Sequence, residues 1–305
     1  MTQKNSVLLT GSTGFLGKQL RRLLHKNNIK TILILRKKID LLDNEIAIYT
    51  DDLFSENKVF WQQIFDYYNK NNDGKITTIL HSAWYAEPGK YLHSPLNEQC
   101  YFGTMNLAEV AIKNNIQNFI GIGTCLEYFL PNDNILTTDS ALNTNSEISY
   151  IKYKIKTYLE LAKLFNNAKQ NKNSYLSWCR LFFVYGENED SRKLTAYCHN
   201  QFKNQQEVIL NNGDLQRDFI DIKTAAEQIV NNLILNYNHT NLTQKSQVYN
   251  LCSGKAITIK NWVYNIAKLY NTNDFNAENL IKINTDKNRN VNSFEPQIIV
   301  GKPSF

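Results

Sequence analysis

Residues 6–20, SVLLTGSTGFLGKQL, restrict this chain more than any other stretch. A short apolar run ends at Thr10, and glycines follow at positions 11, 14 and 17. Leu16, Leu20, Leu23 and Leu24 then recur with helical spacing. A strand that turns through three glycines straight into an amphipathic helix opens a strand–helix–strand unit of the kind that holds a dinucleotide. Gly11 permits the tight turn, Gly14 lets backbone approach a pyrophosphate, and Gly17 allows close helix–strand packing. Thr13, Phe15 and Leu16 complete the cradle, and the helix N-terminus offers its free N–H groups to the phosphates.

The alternation continues. TILILR (31–36), IAIYTDDL (46–53), TTILHSA (77–83) and NFIGIGT (118–124) are near-continuous apolar runs, separated by helical stretches such as TMNLAEVAIKNN (104–115). Strands apolar on both faces predict a parallel sheet covered by helices on each side, a doubly wound α/β (Rossmann) fold. Beyond about residue 183 the segments VYGENEDSRK and LNNGDLQRDF are polar and turn-rich, as ligand-contacting loops often are. The predicted division is 1–183, with about 217–252 returning to it, as the nucleotide-binding domain. About 184–216 and 253–305 form a smaller substrate-binding lobe over the sheet's carboxyl edge.

Composition narrows the partners. The 305 residues carry 34 Lys and Arg against 28 Asp and Glu, a net charge of +6, with the basic residues spread along the chain. No cationic cluster is interleaved with aromatics, so no nucleic-acid groove is expected. Five cysteines, odd in number and without a CxxC pair, predict reduced thiols rather than disulfides, and no metal site is expected. No apolar run approaches the roughly twenty residues that span a bilayer, and no signal-like segment precedes the glycines. A soluble, cytoplasmic protein is the expectation.

After the second strand, where such folds often place an acid on the ribose 2′-hydroxyl, stand Arg36, Lys37 and Lys38. A planar guanidinium suits a 2′-phosphate, and two further cations add positive potential. The pattern predicts NADP(H) over NAD(H); a solvated basic turn is the alternative. Asp52 and Leu53, read as the end of the third strand, place a carboxylate where it could meet the adenine amino group.

From about Val7 to Ser253 the chain resembles the extended short-chain dehydrogenases/reductases, the branch of nucleotide-sugar epimerases, dehydratases and reductases. TGSTGFLG resembles that family's TGxxGFxG, LHSAW its HxAA, GTMNLAE its GTxNLLE, and GIGTCLEY its SSxxVYG. SYIKYK carries YxxxK, RLFFVYG resembles RxxNVYG, GDLQRDFIDI matches GxxxRDFxxV, and YNLCSG resembles YNxGSG. YxxxK occurs twice, at Tyr150/Lys154 and Tyr264/Lys268; only the first pair follows Thr124 in the family's order. The resemblance implies that Thr124 orients a carbonyl oxygen, Tyr150 donates the proton, and Lys154 tunes Tyr150 while bonding the nicotinamide ribose. It implies that His81, Ser82 and Ala83 lie beside the cofactor, with His81 a strand-end hydrogen bonder. Trp84, Tyr85 and Glu87 would touch the sugar or pack, and Arg217 would hold the nucleotide diphosphate. A homodimer through helices near 98–114 and 150–167 is also implied.

Departures from the family narrow the reaction. Thr124 is followed by Cys125 and Leu126 rather than the Asp-Glu of 4,6-dehydratases, which argues against dehydration. Leu126 and the Glu187–Asn188 pair stand where the bifunctional epimerase-reductases keep a Cys and a His. Cys125, one place off, reads as packing and stays a candidate substrate contact. Cys100 replaces the Asn of NxxGT. The expected activity is NADPH-dependent reduction of a 4-keto-6-deoxy nucleoside-diphosphate sugar in surface-polysaccharide biosynthesis. The alternatives are an NAD-dependent 4-epimerase and a catalytically silent NADP-binding regulator.

Overall fold

The computed structural model describes residues 4–71, 74–130, 135–167, 173–238, 244–284 and 296–305. The strands in chain order are β1 (Lys4–Thr10), β2 (Lys30–Leu35), β3 (Glu45–Tyr49), β4 (Gly74–His81), β5 (Asn118–Thr124), β6 (Tyr175–Leu181), β7 (Phe183–Tyr185), β8 (Val208–Leu210), β9 (Gln216–Asp221), β10 (Ser246–Leu251), β11 (Ala256–Thr258), β12 (Ile281–Ile283) and β13 (Ile298–Ile299). The helices are α1 (Phe15–Lys26), α2 (Lys58–Asn71), α3 (Leu96–Lys113), α4 (Ser149–Asn167), α5 (Leu194–Lys203), α6 (Ile222–Val230) and α7 (Ile259–Lys268).

Seven strands form a parallel sheet in the order β10-β6-β5-β4-β1-β2-β3. The order reverses beside β1: β1 and β4 stay paired to Thr10 and His81, and the connections leaving them part, which makes the crevice at the carboxyl ends where ligands of doubly wound sheets bind. Successive residues of a strand face opposite sides, which explains the unbroken apolar runs. On β1, Leu8 joins the core beneath α2, α3 and α4, while Val7 and Leu9 join the one beneath α1 and α6. Within that second core Leu16, Leu20 and Leu24 of α1 are buried against Leu33 and Leu80 of the sheet. Leu20→Ala is expected to cost about 2–5 kcal/mol in urea unfolding, because the enclosed site cannot collapse around the lost methyls.

A smaller layer stands over the carboxyl edge. β9 pairs antiparallel with β11 and parallel with β13 and β7, and β8 pairs with β12. A separate apolar cluster joins α5 and α7 through Cys198, Phe202, Val263 and Ile266. Tyr264, of the second YxxxK pair, packs against this cluster, and Lys268 is exposed. One boundary differs from the sequence reading: β3 ends at Tyr49, and Asp52 lies in the turn after it. The Asp52 carboxylate accepts the Phe54 N–H at 3.0 Å and its carbonyl accepts Ser55 N–H, so the polar pair closes a turn rather than extending the ladder.

Candidate active site

The glycine turn is built for a close ligand. Gly11 has φ +73°, and a Cβ there would sit 2.7 Å from Ala83 N, against β4. A Cβ on Gly17 would fall 1.9 Å from the Gly11 carbonyl oxygen, so this crossing admits no side chain. Helix α1 starts after Gly14 with no side-chain cap and no acid in its first turn, which leaves N–H groups for an anion. The Ser12 hydroxyl is buried without a hydrogen-bond partner among the described residues. These features fit a dinucleotide pyrophosphate. Thr13 and Gly14 are exposed on the turn, Phe15 is half-buried, and Leu16 anchors it in the core. Arg36, Lys37 and Lys38 follow β2 directly, all exposed and without an ion pair among the described residues. Leu53 is buried beneath α2, while Asp52 is exposed.

His81 ties β4 to its neighbours. The Thr104 hydroxyl donates to Cys100 O at 2.7 Å, so it accepts from His81 Nε2–H at 2.9 Å. His81 Nδ1 then accepts from the Thr10 hydroxyl at 2.9 Å, and Thr10 in turn accepts the Ala83 N–H at 3.2 Å. Burial, helped by the Lys154 charge, lowers His81 to about 3, so it is a neutral strut and no base near pH 7. Ser82 N–H donates to Thr10 O at 3.3 Å. Cys100 Sγ accepts the Tyr85 N–H at 3.4 Å. Trp84 donates its indole N–H to Asn97 at 2.8 Å, and Tyr85 its hydroxyl to Glu87 at 3.2 Å. Glu87 also pairs with Lys90 at 3.0 Å and faces Arg192 at 3.6 Å, bridging this loop to the segment before α5.

Thr124 ends β5, and Tyr150 and Lys154 lie one turn apart on α4. The Thr124 hydroxyl is near enough to the Tyr150 phenol to favour its ionised form. Tyr91, from the loop before α3, packs edge-on against the Tyr150 ring at 4.8 Å between centroids. Burial raises the Tyr150 phenol well above its ordinary value, Tyr91 and Glu127 push the same way, and Thr124 opposes them. Lys154 donates to Ile122 O at 2.6 Å and lies 3.7 Å above the Trp84 ring. Burial lowers Lys154 to about 7, against the pull of Glu127. Lys154, implied above to tune Tyr150, does not bring the phenol down in the protein alone. Burial wins, and the ammonium is turned to Trp84 and a carbonyl.

Behind Thr124 lies a charged cluster that the sequence reading missed. Glu127 accepts the Thr124 N–H at 2.8 Å, the Trp178 indole N–H at 3.0 Å and Arg180 Nε at 2.8 Å. Glu127 is wholly buried and Arg180 is 1% exposed. The available signal was the alternation of Gly121 and Gly123 on β5. A Cβ at Gly123 would meet Glu127 Oε1 at 2.3 Å and Trp178 Nε1 at 2.4 Å, and one at Gly121 would meet the Trp178 ring.

Cys125 is buried among Tyr128, Phe182 and Cys252, and burial pushes its thiol up, so it is a neutral packing group in this structure. Arg217 is 3% exposed, and its Nη1 donates to the carbonyls of Gln216 at 2.8 Å and Pro296 at 3.0 Å. Asp218 beside it accepts N–H groups of Ser253, Gly254 and Gly301, which stitches the 296–305 segment over β9.

Three comparisons meet at this geometry. Residues 7–252 match the model of the NAD-dependent epimerase/dehydratase family. The dTDP-6-deoxy-L-talose 4-dehydrogenase (NAD(+)) of Aggregatibacter actinomycetemcomitans is 25% identical over 287 residues, 91% of this chain and 92% of that protein. The UDP-N-acetylglucosamine 4-epimerase of Methanobrevibacter ruminantium, solved with UDP-N-acetylmuramic acid, superposes with TM-score 0.77 at 19% identity, covering 100% of this chain and 91% of that one. The Thermus thermophilus UDP-glucose 4-epimerase in complex with NAD gives TM-score 0.73 at 16% identity over 98% and 90%. With the glycine turn, the parallel sheet and a family match spanning most of its length, this chain is an enzyme of the NAD-dependent epimerase/dehydratase family.

Proposed function

We propose that this enzyme reduces the 4-keto group of a nucleoside-diphosphate 6-deoxyhexose. The observation that carries the reading is that α4 brings Tyr150 and Lys154 to the carboxyl end of β5, where Thr124 stands and Lys154 bonds the Ile122 carbonyl. When bound, a nicotinamide supplies the hydride for carbon 4. Thr124 orients the carbonyl oxygen, and Tyr150 gives its proton to that oxygen as the alcohol forms. Lys154 then holds positive charge beside the phenolate left behind, which is the state an ammonium stabilises. Trp84, Tyr85 and Glu87, on the loop between β4 and α3, line the sugar end. The similarity to a 4-dehydrogenase of a 6-deoxy sugar nucleotide supports this substrate class.

A 4-epimerase is the second reading, favoured by the likeness to two solved 4-epimerases. The experiment that separates them follows NADPH and NADH absorbance while the protein meets fresh products of several 4,6-dehydratases. Net consumption of reduced cofactor supports the reductase. No consumption, with NAD released only on denaturation, moves the assignment to the epimerase.

The cations after β2 favour a 2′-phosphate, so NADPH is the proposed cofactor, although the Aggregatibacter and Thermus proteins named above are described with NAD. Arg36→Glu is expected to lower kcat/KM for NADPH about tenfold or more while sparing NADH, because a carboxylate repels the 2′-phosphate. Equal effects on both cofactors would show a solvated turn. The exposed Phe102 on α3 and Leu159 on α4 support the proposal of a homodimer through these helices, which sedimentation checks.

A further inference from the structure

We propose that Asn97 is a positioning residue that pins two aromatic rings against the α4 pair, Trp84 on Lys154 and Tyr91 on Tyr150. Both rings belong to residues 82–95, between β4 and α3, and Asn97 stands in the first turn of α3. It lies in none of the family-like motifs. The Asn97 side chain is fully enclosed, and each of its polar atoms is used. Its Oδ1 accepts the Trp84 indole N–H at 2.8 Å, while Nδ2 donates to Tyr91 O at 2.7 Å and Ser94 O at 2.9 Å. The amide fits only this way round, because an indole N–H only donates and a carbonyl only accepts. Ser94 O also accepts the Ser149 hydroxyl at 3.0 Å, which ties the same loop to the residue before Tyr150.

What the pin holds is the reacting end of α4. The Trp84 ring centroid lies 3.7 Å from Lys154 Nζ, which also donates to Ile122 O at 2.6 Å. An ammonium has three N–H groups. The carbonyl takes one and the indole face attracts the charge from another side, so the direction left for a ligand is narrowed. The Tyr91 ring meets Tyr150 edge-on at 4.8 Å, which restricts the swing of the phenol. Both side chains are thereby held in one arrangement before cofactor or substrate arrives. A proton donor gains from such preorganisation, since misplacement by about 1 Å can cost about 10²-fold in rate. Asn97 acts through the two rings, and Trp84 gains a task beyond lining the sugar end. This inference rests on the roles proposed above for Tyr150 and Lys154.

The test reads the Trp84–Lys154 contact directly, by NMR of protein labelled at lysine Cε, without cofactor or substrate. The signal is identified by its loss in Lys154→Met. In the parent, the indole ring current is expected to hold the Lys154 Cε protons upfield of exposed lysines that face no ring. Asn97→Leu, close in volume but without the amide, is expected to return the signal to their range. An unmoved signal in Asn97→Leu would overturn the proposal. A shift that survives Trp84→Leu would do the same, since it would come from the Tyr150 or Trp178 ring, each 5.9 Å from Lys154 Nζ. Should Asn97→Leu not fold because it strands the indole N–H, Asn97→Ala leaves room for water there and carries the same expectation. In turnover, Asn97→Leu is expected to lower kcat about tenfold or more, with KM for the sugar nucleotide within about threefold. A raised KM at unchanged kcat would reduce Asn97 to shaping the sugar end and end the proposal. If Tyr150→Phe remains fully active, the reaction reading falls while a lost shift in Asn97→Leu keeps the pin. If Tyr150→Phe is inactive and the shift is unmoved, only the role of Asn97 falls.

Discussion

Tyr150→Phe is expected to lower turnover by about 10²–10⁴-fold, the range that a positioned general acid contributes. The change deletes one oxygen. The ring keeps its edge-on contact with Tyr91, so the fold and the glycine cradle are left in place. Cofactor affinity, read by quenching of protein fluorescence, is expected to stay within about threefold, since Tyr150 lies across the crevice from α1. Lys154 is expected to keep its contacts with Ile122 O and Trp84. A steady-state assay together with a binding titration checks both halves. Retained activity would mean that another group delivers the proton, and the reading of Thr124, Tyr150 and Lys154 would fail with it.

Arg180→Met is expected to destabilise the protein by about 3–5 kcal/mol, because it leaves the Glu127 carboxylate buried and unpaired. The guanidinium also lies 4.5 Å from the Tyr128 ring centroid and 5.0 Å from that of Tyr158, so packing is lost along with charge. Adding Glu127→Gln to Arg180→Met is expected to recover most of the loss, since two neutral side chains need no mutual compensation. Urea melts of the two single variants and the double variant give the coupling. Independent, additive losses would show that the pair is not coupled.

The fold was legible because its cause is local. Glycine spacing and apolar runs at strand and helix period are written along the chain, and they were enough for the parallel sheet and the turn at Gly11, Gly14 and Gly17. The end of β3 was misread by a few residues, because the Asp52 turn closes through side-chain acceptance of Phe54 N–H, which an apolar pattern does not record. The candidate site divides in the same way. Thr124, Tyr150 and Lys154 stood out through motifs in order, but the state of Lys154 did not. Its lowered affinity for a proton comes from burial, which depends on Trp84 and on the carbonyl of Ile122 meeting it in space.

By itself the sequence determined the strand order's raw material, the cradle for a pyrophosphate, the exposed cations after β2 and the tyrosine–lysine pair one helical turn apart. Tertiary structure alone decided that His81 is a neutral strut between Thr10 and Thr104. It also seated Arg217 against the carbonyls of the 296–297 segment, 79 residues away from it in the case of Pro296. Most of all, it gathered Glu127, Trp178 and Arg180 behind Thr124 from the end of β5 and from β6. The reason is physical. Dihedral preference and periodicity act between near neighbours, while desolvation and charge pairing act between whatever the fold brings together.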